Sequence, residues 1–377
     1  MHKFLFDIDI SGACNLRCPS CPQGNVNNYH LPHGFMEPEL LERIMEKAVT
    51  ECLVEQVSLY NWAEPLFHPR LPELINIVQD KGVSCHLSSN LNILPNPDAI
   101  LAANPASFRI STSGFRQEIY SRTHRGGNIE RVKKHMVELT EAKRRTKAQT
   151  DIYIYYHRYL HNLEDEPKMR EYATRLGIKF IPDWALMLPL EKILGYMEGV
   201  DSYLPLTEED HELINSLALP LRGALTAARK YADRPCPLRD DAVTLDYRGN
   251  VMLCCGIFDA RKYTLGNYID MALKEIQQTR YRHPMCESCM RQGAHVYLTY
   301  GIDEMDELAL ANIPPNDIEL LNDLRHEITW RQRRRRLTKL YDRFLPDLLS
   351  AGQKRFLSDS FSRVQSYLRR ERWKKYS

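Results

Sequence analysis

Six strand-like segments separated by helical patterns fill the first half of the chain and predict an α/β fold on a parallel sheet. Two observations carry this: the strand candidates are short and apolar or alternating, and the stretches between them repeat apolar residues at helix spacing. Such an order implies right-handed crossovers, with ligands collecting outside the C-terminal ends of the strands. The strands run from Leu5 to Ile10, Val54 to Leu59, Val83 to Leu87, Phe108 to Ser111, Ile152 to Tyr156 and Ile178 to Ile181. Leu40, Leu41, Ile44 and Ala48 recur at helix spacing after Pro38, and Leu74, Ile75, Ile77 and Val78 precede the helix stop Gly82. Gly126 and Gly127 lead into a charged helix from Ile129 to Arg145. From about Pro182 to Arg234 the periodicity is poor and prolines recur, as in a connecting segment over the mouth of the sheet. Beyond Asp303 the chain reads as helical to its end, through Leu308, Leu310, Ile318, Leu320, Leu321 and Leu324 and then a run of arginines from Arg331 to Arg336.

A chain of 377 residues can hold two domains and an appendage with ample core. Its 43% hydrophobic and 27% charged residues are those of a soluble globular protein. Met1 to Asp7 runs directly into the first strand, with no signal peptide and no apolar stretch long enough to span a bilayer, so a cytoplasmic protein without a membrane partner is expected. Ten cysteines in a reducing compartment read as ligands rather than disulfides, and they group: 14, 18 and 21, then 236, 254, 255, 286 and 289. Cys52 and Cys85 fall inside helix and strand patterns and are assigned to the core. From Arg325 to Ser377 there are sixteen Lys/Arg against five Asp/Glu, a net +11, which leaves −9 on the preceding residues of a chain carrying +2. A charge run of this kind is usually a solvated face, so nucleic-acid binding is not expected of it. The sequence does not set the oligomeric state.

Cys14, Cys18 and Cys21 share one short loop after the first strand, spaced by three residues and then two. Three thiolates can wrap a cubane of iron and sulfur and leave its fourth iron without a protein ligand; structural zinc wants four ligands in closure. This CxxxCxxC loop resembles the signature of the radical S-adenosylmethionine (SAM) superfamily. The resemblance implies a [4Fe-4S] cluster whose open iron is chelated by SAM, and a 5′-deoxyadenosyl radical made when SAM is cleaved on reduction, with the electron supplied by a donor such as flavodoxin or ferredoxin. Further matches sit at later strand ends. Ala63-Glu64-Pro65 resembles the family's Gly-Glu-Pro segment, where the glutamate takes the SAM amino group. Ser88, Ser89 and Asn90, then Ser111 and Ser113, offer groups suited to a ribose, and Arg125 could pair with the SAM carboxylate. Many members carry an aromatic residue before the third cysteine to meet adenine, whereas this chain has Ser20.

The second group reads Cys236, Gly249, Cys254-Cys255 and Cys286-Glu287-Ser288-Cys289. It resembles the twitch domain, a truncated SPASM domain, which implies that Cys236, Cys254, Cys286 and Cys289 hold an auxiliary [4Fe-4S] cluster. Two thiolate pairs also suit structural zinc. The places where a SPASM domain would supply further cysteines hold His295 and Thr299, and His295 is expected to face solvent. The resemblance implies a partial (β/α)6 barrel over 1–185, a connecting segment over 186–235, a twitch-like domain over 236–302 and a basic helical extension over 303–377. Full cysteine ligation favours electron transfer and so an oxidoreductase acting on a small polar substrate, a sugar or cyclitol. Alternatives are an epimerase using Cys255 as hydrogen donor, possible on a peptide, or a non-enzymatic iron-sulfur or zinc protein. Peptide-modifying relatives often carry an N-terminal recognition domain, for which the early first strand is expected to leave no room. Asp9, Tyr153, Tyr155, His157, Arg158, Asn162 and Trp184 are the expected pocket residues, on or just past strands.

Overall fold

The structure, a computed structural model, describes residues 2–26, 33–199, 204–315 and 318–344. Strands β1 (Lys3–Ile8), β2 (Leu53–Ser58), β3 (Ser84–Ser89), β4 (Ser107–Thr112), β5 (Asp151–Arg158) and β6 (Lys179–Trp184) pair in parallel, each with the next. These six fall within a few residues of the expected positions. On the other side of β1, strand β7 (Ala242–Leu245) pairs in parallel, and β8 (Asn250–Met252) and β9 (Thr264–Asn267) follow antiparallel. The second cysteine region therefore extends the same nine-stranded sheet, in the order β6-β5-β4-β3-β2-β1-β7-β8-β9.

In chain order the helices before β6 are α1 (Pro22–Asn25), α2 (Pro38–Glu51), α3 (Leu71–Asp80), α4 (Pro97–Ala102), α5 (Gln117–Thr123), α6 (Ile129–Thr146) and α7 (Glu166–Arg175). Between β6 and β9 come α8 (Leu190–Glu198), α9 (Glu208–Ser216), α10 (Leu221–Arg229), α11 (Pro237–Asp240) and α12 (Ala260–Tyr263). The rest are α13 (Leu273–Arg282), α14 (Pro284–Gln292), α15 (Ala294–Thr299), α16 (Asp303–Asn312) and α17 (Ile318–Phe344). Met1–Pro314 form one compact unit and Pro315–Ser377 a second, so α16 belongs to the first rather than to a C-terminal extension. Most of the basic tail, residues 345–377, lies outside the described residues.

Period-two alternation decides what each face of the sheet carries. Phe6, Ile8, Val57, Cys85, Leu87, Phe108, Ile110, Ile152 and Ile154 are buried in one core with Leu41, Ile44, Leu74, Val78, Val132, Met136 and Leu139 of α2, α3 and α6. Truncating one of these leucines to alanine would cost about 2–5 kcal/mol. Cys52 and Cys85 lie in this core, as expected. The alternate residues, Asp7, Ser58, Ser88, Arg109, Tyr153, Tyr155, His157 and Asp183, line the opposite, polar face. Residues 182–234 differ from expectation, for three helices occupy them. Leu190, Ile193 and Leu194, then Leu221, Ala224, Leu225 and Ala228, are buried at helix spacing. The prolines bound these helices at their N-terminal ends rather than breaking them.

Candidate active site and metal centres

The cysteine loop leaves β1 and closes on helix α1. Cys21 N donates to Cys18 O at 3.1 Å and Gly24 N to Cys21 O at 2.8 Å. The helix then passes so close to the loop that a Cβ at Gly24 would stand 2.4 Å from Cys18 O. Asn25 ties the assembly down, its side-chain amide donating to Pro19 O at 2.7 Å and to Leu188 O at 3.3 Å. Its own carbonyl accepts from Lys192 Nζ at 2.8 Å, and Lys192 is fully buried against both carboxylate oxygens of Asp210. Burial, with Glu64 nearby, pushes the Cys14 thiol up to about 12, and burial beside Cys14 does the same for Cys21. Cys18 is raised as well, by burial and the charges of both other cysteines. Thiols crowded this way ionise only when a positive group meets them, and soft thiolates select iron-sulfur, zinc or cuprous centres. Amide donors already face sulfur: Leu16 N is 3.5 Å and Asn90 Nδ2 3.7 Å from Cys14 Sγ. The trio therefore fits the cluster its spacing implies. Among the described residues no three His, Cys, Asp or Glu side chains are gathered closely enough to surround one metal ion.

Around this loop three strand ends are knitted together. Glu64 N donates to Ala13 O at 2.9 Å, and its buried carboxylate accepts from Leu66 N at 3.1 Å, from Asn90 N at 3.0 Å and from the Ser89 hydroxyl. Burial lifts that carboxyl to about 7 despite these donors. Asn90 also donates to Asn15 Oδ1 at 2.9 Å, so the loops after β2 and β3 meet the cysteine loop at its first ligand position. Ser88 shares a hydrogen bond with Ser111 at 3.3 Å and accepts from Arg109 Nε at 2.8 Å. The Ser89 hydroxyl also accepts from Leu91 N, and Ser113 is buried against Thr123 and His124, so both hydroxyls are committed inside the fold. Arg125 accepts from Arg17 N through its carbonyl, pairs with Glu209 at 3.1 Å and lends positive charge to Cys18. The side chain of Ser20 meets the phenol of buried Tyr159, which stacks on His161 at 5.3 Å.

Four expected pocket residues are engaged elsewhere. Asp9 caps the loop after β2, accepting from the backbone amides of Asn61, Trp62 and Ala63 at 2.9–3.0 Å. Arg158 and Trp184 fall on the helix side of their strands, where Arg158 chelates Glu166 at 2.7 and 2.8 Å and Trp184 Nε1 donates to Asp306. Asn162 donates to Ser113 O and His157 O and accepts from Tyr159 N. Tyr153, Tyr155 and His157 do stand on the polar face. With them are groups the motif reading missed: Arg109 lies over the rings of Tyr60 and Tyr155 at 4.9 and 5.1 Å, Tyr155 donates to Asp183 at 2.7 Å, and Asp7 bonds Ser58. Burial raises the Asp7 carboxyl and holds His157 near 4, hence neutral. A lone arginine between Phe108 and Ile110 was the available signal.

In the second region, Cys236 precedes α11, Cys254 follows β8, and Cys286 and Cys289 ride one turn of α14. All four line one small cavity with Leu190, Arg239, Leu253, Met290 and His295. Burial pushes Cys254 up to about 12 and Cys286 to about 11, with neighbouring cysteine charges adding to both. Four soft donors lining one cavity are of the kind a metal-sulfur cluster takes. His295 does not face solvent: it is 1% exposed, with Nε2 donating to Arg234 O at 2.9 Å, because the left-handed Gly293 turns α15 inward after α14. Thr299 donates to His295 O. Cys255 keeps partial solvent access, and its thiol is raised by burial and by the charge of Asp7.

The sequence model described as "Radical SAM superfamily" matches residues 8–162. No curated protein sequence matches the chain. Among solved structures, native anSMEcpe with bound AdoMet and Cp18Cys peptide is 15% identical, with 91% of this chain and 100% of that one covered at a TM-score of 0.50. Streptococcus suis SuiB bound to S-adenosylmethionine is 14% identical, with 77% of this chain and 66% of that one covered at the same TM-score. Residues 8–162 thus match the radical SAM superfamily, a family that implies SAM and a [4Fe-4S] cluster, and the two structures are alike in fold.

Proposed function

We propose that the protein is a radical SAM oxidoreductase that removes a hydrogen atom from a small polar substrate and passes the remaining electron to an auxiliary [4Fe-4S] cluster. In this reading Cys14, Cys18 and Cys21 hold the first cluster, and Cys236, Cys254, Cys286 and Cys289 the second, within a barrel over 1–185 and a twitch-like domain over 236–302. When bound, SAM and the first cluster supply a 5′-deoxyadenosyl radical, given an electron from a flavodoxin- or ferredoxin-type donor. Glu64 and Asn90, fixed beside Cys14, orient the SAM amino group. Arg109, Tyr155 and Asp183 orient substrate hydroxyls, and the raised carboxyl of Asp7 can take up the proton that leaves with oxidation. The observation that carries the reading is the polar face itself: Asp7, Arg109, Tyr155, His157 and Asp183 line one surface of the sheet whose strand β1 leads into the first cysteine loop and pairs with β7 of the second cysteine region.

A second reading is favoured by the place of Cys255. Cys255 lies within electrostatic reach of Asp7, so its thiol reaches the wall of that polar surface and could return a hydrogen atom, making an epimerase. A bound peptide in one structural relative leaves a peptide as the substrate for that reading. Product formed in deuterated buffer separates the two. Oxidation gives a product short of two hydrogens with no deuterium, and Cys255→Ala keeps substantial turnover. One deuterium at an inverted carbon, lost in Cys255→Ala while SAM cleavage persists, would overturn the oxidative reading.

A further inference from the structure

Among the described residues three cations with side chains of high pKa are fully buried: Arg158, Lys192 and Arg280. Burying a charge without a counter-charge is costly, and the first two obey the rule by pairing with Glu166 and Asp210. Arg280 does not. It is 0% exposed, and no carboxylate of the described residues lies within ion-pair distance of it. One amino group donates to Ala242 O at 2.5 Å and the other to Met252 O at 3.1 Å, while Nε is buried with no partner. These carbonyls fix its place. Ala242 opens β7 just after the Cys236 helix α11, Met252 is two residues before Cys254, and Arg280 itself sits on α13, which leads into the Cys286 and Cys289 helix α14. Beyond its burial, the groups that act on the guanidinium electrostatically are Cys254, Cys286, Cys255 and Cys236. Arg239, the other cation beside these cysteines, is already paired with Asp240 at 2.9 Å and lies over Tyr281.

We propose that Arg280 is the fixed counter-charge of the auxiliary cluster and raises its reduction potential, so that the cluster accepts an electron from the substrate radical. The inference rests on the reading that the four cysteines hold such a cluster. A thiolate-ligated centre is anionic, and an added electron makes it more so. A cation held close by in a low-dielectric interior stabilises the reduced form more than the oxidised one, which is one of the levers a protein has on iron-sulfur potentials. The two carbonyls orient the guanidinium and leave its charge for the sulfurs. Arg280 is therefore a positioning and tuning residue, not one that touches substrate.

The test is an anaerobic redox titration of the reconstituted full chain, followed by electron paramagnetic resonance, with the first cluster as internal reference. In the wild type the auxiliary couple should be the more positive of the two; an auxiliary couple at or below the first cluster would overturn the proposal. Arg280→Gln keeps a donor for one carbonyl and loses the charge. It should shift the auxiliary equilibrium at least tenfold toward the oxidised form, 59 mV for one electron, and leave the first cluster unmoved. Arg280→Lys, which keeps the charge, should shift it less than half as far. An Arg280→Gln auxiliary couple within twofold of the wild type would overturn the proposal, since a purely structural arginine predicts no shift. If Arg280→Gln fails to assemble, the wild-type order of the two couples and the Arg280→Lys titration decide. Wild-type protein with iron for only one cluster would instead overturn the reading of the four cysteines, and the role of Arg280 with it.

Discussion

Replacing Lys192 with methionine tests how the cysteine loop is anchored. Lys192 Nζ lies 2.8 and 2.7 Å from the two Asp210 oxygens, with the side chains 2% and 1% exposed, and 2.8 Å from the carbonyl of Asn25 at the end of the loop's helix. Solvent does not screen such a pair, and removing one partner of a buried ion pair costs about 3–5 kcal/mol because the other charge is stranded. Asp210 keeps the Thr207 amide and hydroxyl, each at 2.9 Å, which moves the expected loss toward the lower figure. The orphaned Asn25 carbonyl adds about 1 kcal/mol. The total, about 4 kcal/mol, should appear as a lower denaturant midpoint of the iron-free protein, and in the reconstituted protein as faster loss of iron to a chelator. Combining Lys192→Met with Asp210→Leu removes both charges and should recover at least half of the loss, as apolar replacements of buried pairs do. A single variant within about 1 kcal/mol of the wild type, or a double variant no better than the single, would refute the reasoning.

Glu64→Gln should keep full iron content yet weaken SAM binding about tenfold or more by calorimetry, the loss of one charge-assisted hydrogen bond of about 1.5–3 kcal/mol; unchanged affinity would remove Glu64 from the site. Because burial raises the Glu64 carboxyl to about 7, holding it protonated contributes stability to the empty protein that is full below the ordinary carboxylate range and is lost as pH rises through about 7. A SAM ammonium favours the ionised form, so the affinity of the wild type should fall as pH drops below about 7 and that of Glu64→Gln should stay flat across the same window. Arg109→Met should leave SAM cleavage to 5′-deoxyadenosine running while substrate conversion falls, since the variant unseats the Tyr60-Arg109-Tyr155 stack but touches neither cysteine set. Conversion at the wild-type rate would place the substrate elsewhere.

The six parallel strands were legible because alternation and short apolar runs survive without knowledge of partners. The meeting of three loops was legible for the same reason, since Cys14, Glu64 and Asn90 each follow a strand by a few residues, and a parallel sheet gathers such loops at one end. What the sequence hid was mostly a matter of faces and satisfaction. Arg158 and Trp184 sit at strand ends like Tyr155 and His157, but one step of register turns them to the helices. Asp9 lies on the polar side, yet three backbone amides claim it, a commitment visible only once the loop after β2 is folded. Arg109 and Asp7 were read as strand residues, and nothing local says that Tyr60 and Tyr155 close over the first or that Cys255 approaches the second. The helices between Leu190 and Arg229 were lost among prolines and alanines, whose small side chains weaken an apolar pattern while packing closely. Arg280 gives no sequence signal at all: an arginine on a polar helix looks solvated until the backbone carbonyls of two strands enclose it.

The central claim is that the Cys14, Cys18 and Cys21 loop holds a cluster that cleaves SAM. Anaerobically reconstituted protein should contain about eight irons, from two clusters of four, and release 5′-deoxyadenosine from SAM on reduction, measured by chromatography against an unreduced control. Alanine at any one of Cys14, Cys18 or Cys21 should abolish that release and lower iron by about four per chain. Release of 5′-deoxyadenosine that survives in any of these three variants would contradict the account.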